Sequence, residues 1–406
     1  MEMETAEQVL LTAIDVGSAK TCALVAEISD TGPRYLAHGI CESRGSKKGQ
    51  IIDLEKAITS VQQAVDQAEK AAGAPVESAV VGIAGSHVRG VTSQGGIMLG
   101  RTREITRGDI RMSVERAKAV NLPSDRLILH LLPQEFLLDD QPGLRDPAGM
   151  MGSKLEAKIH MVTASSTAIQ NVVTTLNRAG IHVNDTVYEA LVDADAVLRP
   201  DERELGVCLA DIGAGSTDLI VFHDGAVVHT GVIPIGGDHF TNDIAVGLRT
   251  PLADAEKLKR MFGCAVVTRI PETTEIEVPS VGDRPSRLMS QRMLGEVLEP
   301  RARELFEIRR DHLRQTGMME FIPAGIVLTG GGSRLSYLGE IAEDVLRKPI
   351  RMGWPASLAK MPAQLAELEF ATAIGMILHA YRARMLQGQQ ENGIGSKLKR
   401  LFARQA

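Results

Sequence analysis

The sequence predicts an α/β protein of two related lobes, and three segments carry that prediction. The first is V-C-L-A-D-I-G-A-G-S-T-D-L-I-V-F, Val207 to Phe222, two short apolar strands joined by a glycine turn. The second, T-A-I-D-V-G-S-A-K-T-C-A-L-V from Thr12 to Val25, repeats that plan near the other end of the chain. The third, G-I-V-L-T-G-G-G-S-R-L from Gly325 to Leu335, is a buried-looking strand running into three glycines. At 406 residues the chain is too long for one ordinary core. Two similar hairpins in its two halves suggest two lobes closing on one ligand.

The turns say what that ligand is. Gly213, Gly215, Ser216 and Thr217 in one, and Gly17, Ser18, Ala19 and Lys20 in the other, leave backbone N–H groups free to face an anion. Asp15 and Asp211 end the leading strands and would repel a phosphate directly. Beside a hydrated Mg²⁺ that repulsion becomes attraction. One D-x-G-x-G turn also fits an ordinary hairpin; its repetition, followed by Gly330, Gly331 and Gly332, points to a nucleotide. Ser333 is placed to cap a helix after the third turn.

Composition removes other classes. The chain is 44% hydrophobic and 24% charged, with 3% aromatic residues and a net charge of −6, so it lacks both a base-stacking surface and a basic footprint for nucleic acid. Cys22, Cys41, Cys208 and Cys264 lie far apart, without a CxxC pair, and read as reduced thiols of a cytosolic protein. Glu2, Glu4 and Glu7 at the N-terminus do not suit a signal peptide, and no apolar run is long enough to span a membrane.

In chain order, Ser43 to Gln50 is a loop rich in Gly, Ser, Lys and Arg, better suited to solvent than to phosphate. Asp53 to Ala72 is an amphipathic helix with Leu54, Ile58, Val61, Val65 and Ala68 on one stripe, stopped by Gly73. Ala79 to Ile83 is a buried strand. From Ala84 to Thr163 the texture changes to that of a compact insert. It has a strand pair over Val88 to Leu99, a helix capped by Thr106 and running to about Val120, and strands near Arg126 to Leu138 and Ala157 to Thr163. A Pro/Gly-rich loop, Gln141 to Gly152, separates the last two. His87, His130 and His160 have no metal-ligand spacing and read as strand residues.

Ser165 or Ser166 then caps a helix that Gly180 stops, and a strand to Tyr188 and a helix from Glu189 to Leu198 lead into the second hairpin. Thr250-Pro251 opens a helix with Leu252, Ala255, Leu258 and Phe262 inward. On its polar side Glu256 and Lys259 suit a nucleoside contact, against a solvated face with a Glu256–Arg260 pair. Cys264 to Asp283 is strand-like. Ser286 to Gln315 is a long charged helix that Pro300 should kink or interrupt. Leu368 to Leu386 reads as a last packing helix.

In this order, D-V-G-S-A-K, D-I-G-A-G-S-T-D and L-T-G-G-G resemble the phosphate 1, phosphate 2 and adenosine motifs of the actin/Hsp70/sugar-kinase ATPases. Within that superfamily the chain is most similar to the FtsA family of bacterial actin-like cell-division proteins. D-E-R-E-L-G-V-C (Asp201 to Cys208), V-P-S-V-G-D-R-P (Val278 to Pro285) and A-G-I-V-L-T-G-G (Ala324 to Gly331) resemble it nearly word for word. Ala214 stands where a glycine is common and Ser216 where a threonine is; neither removes a backbone donor.

The resemblance implies an actin-like two-lobed ATPase fold of duplicated ribonuclease-H-like domains. Subdomain 1A would occupy 9–83, 164–205 and 371–386, with subdomain 1C inserted at 84–163. Subdomain 2A would occupy 206–240 and 304–370, and 2B 241–303. It further implies ATP and Mg²⁺ as cofactors and self-association into filaments. FtsZ would bind through subdomain 2B and other divisome proteins through 1C, at the cytoplasmic face of the inner membrane at the division site. Carried over by motif, Gly17, Ser18, Ala19 and Lys20 hold the β- and γ-phosphates, and Gly213, Gly215, Ser216 and Thr217 hold them from the other side. Asp15 and Asp211 sit near the metal, and Gly330, Gly331 and Gly332 approach the adenosine. Glu189, near the start of the helix before phosphate 2, suits a residue that orients the attacking water in a slow ATPase. Its alternative is a helix N-terminal acid favoured by the dipole. Competing readings are another actin-like scaffold, in cell shape or pilus assembly, and a sugar kinase of this fold, which would need a substrate base in addition to Glu189.

The C-terminus carries a second function. Residues 387–395 read as a polar linker and 396–406 as an amphipathic membrane-targeting helix. Ile394, Leu398, Leu401 and Phe402 share one face, while Lys397, Lys399, Arg400 and Arg404 lie mainly around the other, a pattern suited to anionic lipid. A net charge of −6 less the tail's four positive charges leaves the rest at −10, a body that an anionic bilayer repels.

Overall fold

The computed structural model describes residues 9–29, 31–282 and 284–391. The membrane helix expected over 396–406, with Ile394, Lys397, Leu398, Lys399, Arg400, Leu401, Phe402 and Arg404, lies outside them.

Two five-stranded sheets repeat one plan. In the first lobe the order is His182–Tyr188, Ser78–Ile83, Leu10–Val16, Lys20–Ser29, Gly32–Glu42. In the second it is Ala226–Ile233, Thr217–His223, Val207–Ile212, Ile326–Thr329, Ile350–Met352. Each central strand that carries a hairpin aspartate, Leu10–Val16 or Val207–Ile212, runs antiparallel to its hairpin partner and parallel to a later strand on its other side. The strands are near-continuous β-branched and aliphatic runs because both of their faces are covered. One apolar cluster joins the lobes, with Leu11 and Leu24 of the first, Leu209 and Ile220 of the second, and Val192, Phe370 and Ile374 from the helices between.

The insert is a four-stranded sheet, ordered Arg89–Glu104, Met151–Ser165, Arg126–Leu138, Gln141–Leu144, with the helix Arg107–Lys118 on one face. It has its own core around Ile105, Phe136, Leu155 and Ile159. The helix starts in a capping box: Thr106 Oγ1 accepts from the Asp109 N–H at 3.2 Å and Asp109 accepts from the Thr106 N–H at 2.9 Å. Arg103 forks onto Asp109 at 2.7 and 2.8 Å and, with Thr106, holds its carboxyl well below the usual range.

Several expected boundaries move, each for a packing reason. The pair expected over Val88 to Leu99 is one strand, Arg89–Glu104, whose Gly95 lies so close to the helix that a Cβ would come within 2.5 Å of the Ala117 nitrogen. The helix expected from Ser286 begins at Gln291, because Arg287–Ser290 pairs with Glu275–Val278 as a small ribbon. It then runs unbroken through Pro300 to Gln315; buried Leu294, Leu298, Ala302, Leu305 and Phe306 outweigh the one hydrogen bond that proline removes. Ser333 does not cap the next helix, Leu338–Leu346. Its hydroxyl donates to the Thr329 carbonyl at 2.5 Å, inside its own turn. The last helix spans Ala371–Glu391, so the first residues of the expected 387–395 linker are helical.

Candidate functional site

The two hairpins face each other across a cleft of about 1300 Å³. Asp15, Gly17, Ser18, Ala19 and Lys20 line it from one lobe and Asp211, Gly213, Gly215 and Ser216 from the other. Glu189, Glu256, Lys259, Gly330, Gly331 and Gly332 complete its walls. Residues from four distant parts of the sequence are thus brought together. Thr217 is the correction. Its pairing with Ile212 makes it the first residue of a strand, fully buried, with its hydroxyl donating to the Ile235 carbonyl at 2.8 Å and accepting from Arg309 at 2.5 Å. The Gly213 N–H is also used within its turn, donating to the Ser216 carbonyl at 3.0 Å.

Carboxylates outnumber cations on the cleft floor. Lys20 Nζ lies 2.9 Å from Asp15 Oδ2; burial pushes the ammonium pKa down, but Asp15 more than restores it, leaving it raised. Burial, reinforced by Asp15, pushes Asp211 up to about 6. Burial and then Asp211 push Asp218 up to about 7. Glu189 is raised well above the glutamate range, first by burial and then by Asp15, Asp218 and Asp211. Behind it Asp193, also fully buried, is raised by burial and then by Asp211 and Glu189. Such a set calls for positive charge. Among the described residues no three His, Cys, Asp or Glu side chains converge on one metal position. The donors therefore fit a hard cation such as Mg²⁺, held by one or two carboxylates and otherwise by water and phosphate, rather than a caged ion.

The third glycine turn closes over this floor. Gly330 has φ +83°, and a Cβ there would lie 1.9 Å from Asp211 Oδ1, so only glycine lets the turn pass over the carboxylate. On the opposite wall Lys259 Nζ binds Glu256 Oε2 at 2.6 Å, the Thr241 hydroxyl at 2.7 Å and the Gly237 carbonyl at 2.9 Å. The alternative Glu256–Arg260 pair is replaced by this i,i+3 pair, and both Glu256 and Lys259 line the cleft.

Sequence reasoning missed two features. Asp218 lines the cleft and stands directly across the strand pair from Asp211, so strand alternation puts both on one face. That signal was present in the D-I-G-A-G-S-T-D motif. The segment Ser43 to Gln50 is also more than a solvated loop: Ser46 Oγ donates to the Gly17 carbonyl at 2.7 Å, and the Gly49 N–H donates to Ser18 Oγ at 3.1 Å. Only the fold brings that segment onto the first turn.

Comparison with known proteins agrees with this geometry. The family model described as "Cell division protein FtsA" matches residues 208–375, and the model "SHS2 domain inserted in FTSA" matches 85–163, one residue from the expected start of the insert. The chain is 43% identical over 371 residues to cell division protein FtsA of Pseudomonas aeruginosa, covering 91% of this chain and 89% of that one. It is 35% identical over 413 residues to the protein of that name from Escherichia coli strain K12, covering 98% of each. Among solved structures it resembles the PilM-PilN type IV pilus biogenesis complex, with TM-score 0.68 and 16% identity over 92% of this chain and 99% of that one. It also resembles MreB 5 of Spiroplasma citri bound to AMPPNP, with TM-score 0.58 and 14% identity over 96% of this chain and all of that one. At those identities the structural likeness establishes an actin-like fold and nothing finer.

Proposed function

Because the chain belongs to the FtsA family of cell division proteins, we propose that it binds ATP with Mg²⁺ in the cleft, assembles into actin-like filaments and fastens FtsZ filaments to the cytoplasmic membrane. The observation that carries nucleotide binding is the facing pair of acidic hairpins, with Asp15 and Asp211 on one floor beneath the Gly330–Gly332 turn. Gly17, Ser18 and Ala19, with Lys20, would hold the phosphates from one side, and Gly215 and Ser216 from the other. Glu256 and Lys259 would take the ribose. Asp15 and Asp211 would hold the metal through its water shell; when bound, Mg²⁺ supplies the charge that lets phosphates approach these carboxylates.

Glu189 is the residue placed to orient a water. Burial and the neighbouring carboxylates favour its protonated, weakly basic form. Positive charge brought to Asp15 and Asp211 would relieve part of that bias and favour the ionised form that can accept a proton. Glu189→Gln should retain nucleotide affinity while hydrolysis falls about tenfold or more. Asp211→Asn should lose the Mg²⁺-dependent part of nucleotide binding. Equilibrium binding of a fluorescent ATP analogue, with and without Mg²⁺, tests the reading, and no Mg²⁺-dependent affinity in the parent protein would sink it.

Subdomain 2B, 241–303, would meet FtsZ, the insert would meet other divisome proteins, and the C-terminal segment would lie on anionic lipid. Among the described residues no helix is long and apolar enough to cross a membrane. Co-pelleting with FtsZ and anionic vesicles, with and without residues 393–406, tests the tether.

A further inference from the structure

The insert touches the lobes through Gln134, Arg145 and two histidines, and the histidines are neighbours on its sheet: His130 pairs with Val162, and His160 with Leu132, on adjacent strands. His130 Nε2 accepts the N–H of Tyr188 at 2.9 Å. Tyr188 is the N-cap of the helix Glu189–Val197, a helix with no side-chain cap of its own. His160 Nε2 is 3.0 Å from the Thr230 hydroxyl, and its Nδ1 is 3.1 Å from Thr92 Oγ1. Thr230 lies on Ala226–Ile233, the strand in which Val232 pairs with Asp218. Gln134 adds a second tie to that strand, donating to the Val227 carbonyl at 2.8 Å. The fit leaves no slack: a Cβ on Gly90 would stand 2.3 Å from Thr230 Oγ1. Burial pushes both imidazoles down to about 4, so both are neutral near pH 7. A neutral His130 that accepts at Nε2 carries its proton on Nδ1.

We propose that the insert is a bridge between the lobes, in which His130 positions the helix bearing Glu189 and His160 positions the strand beside Asp218. Each histidine acts through a backbone element, so both are positioning residues. The proposal rests on the nucleotide reading of the cleft. Its physical content is linkage. A ligand that draws the hairpins together changes the distance the bridge must span, and a partner that clamps the insert changes that ligand's affinity by the same factor.

The test is amide hydrogen exchange on the full chain, with and without a non-hydrolysable ATP analogue and Mg²⁺. In the parent, nucleotide should slow exchange about tenfold both in the hairpin Val207–His223 and in the insert strand Arg126–Leu138. His130→Ala and Thr230→Val should each cut the insert's response at least by half while the hairpin's remains. His130→Gln, which offers an acceptor in the same place, should keep the response. A hairpin response in the parent without any insert response overturns the bridge alone. So does an insert response that survives both Ala and Val substitutions. If the parent hairpin itself never responds, the nucleotide reading falls and the bridge with it. Should His130→Ala fail to fold, Thr230→Val, which leaves His130 intact, decides the matter.

Discussion

Asp211 and Asp218 stand opposite each other on paired strands, and burial makes each hold its proton to an unusually high pH, about 6 and about 7. An unfolded chain releases those protons near pH 4. Between pH 4 and 7 these two carboxyls therefore bind more protons in the folded protein than in the unfolded one, and their contribution to stability falls as pH rises through that window, against the opposite contribution of His130, His160 and His229, which burial keeps neutral. Asp218→Asn should remove its part of that contribution, so the melting temperature of the nucleotide-free parent relative to the variant should be a few degrees higher at pH 6 than at pH 8. Differential scanning fluorimetry across the range checks this, and a parent-to-variant difference that does not grow from pH 8 to pH 6 contradicts it. Gly330 gives a second prediction at this scale. A methyl group at φ +83° pressed onto Asp211 should cost Gly330→Ala about 2 kcal/mol or more in urea unfolding, and lose nucleotide binding as well.

Helix ends were legible where a side-chain cap or a closing glycine fixes them, because a cap is a local contract between residues three apart. Asp53 accepts the Lys56 N–H at 3.2 Å and Gly73 closes the same helix at φ +68°, both as their sequence positions imply. Removing either of two such caps, Asp53→Ala or Thr106→Ala, should cost roughly 1 kcal/mol, read as a shift in the denaturation midpoint with unchanged slope. Both hairpins, the order of the glycine turns and the presence of an insert were legible for a related reason, since each is fixed by residues adjacent in the chain. What was not legible depends on neighbours that only the fold supplies. Pro300 stays inside a helix because the face around it is buried. Thr217 leaves the cleft because strand pairing turns it inward. Ser46 and Gly49 reach the first hairpin's turn because a ribbon folds the loop back onto it. His130 and His160 looked like plain strand residues; what each touches, Tyr188 of the first lobe and Thr230 of the second, is supplied only by the fold.

At the scale of the whole molecule, the proposed tether would hold a body of net charge −10 at an anionic surface by a short basic tail. Each buried apolar side chain in such a tail contributes about 1.5–3 kcal/mol, and each basic residue near lipid about 1 kcal/mol. Ordering some ten residues costs roughly 1–2 kcal/mol apiece, and so short a helix is marginal in water. The net is small, so a single copy should bind and leave. Linking many copies through a filament changes this without any new contact, because each further tail binds at high effective concentration. Assembly, and through it the cleft, should therefore govern residence on the membrane. The chain should sediment with anionic vesicles far better when ATP and Mg²⁺ permit filaments than when they do not. A variant that binds nucleotide but cannot polymerise should fall about a hundredfold in apparent vesicle affinity. Equal vesicle binding by that variant and the parent would show that the tail alone suffices. Raising salt should weaken the single-copy form first, since its attraction has no avidity behind it and is screened within about 10 Å at 0.1 M.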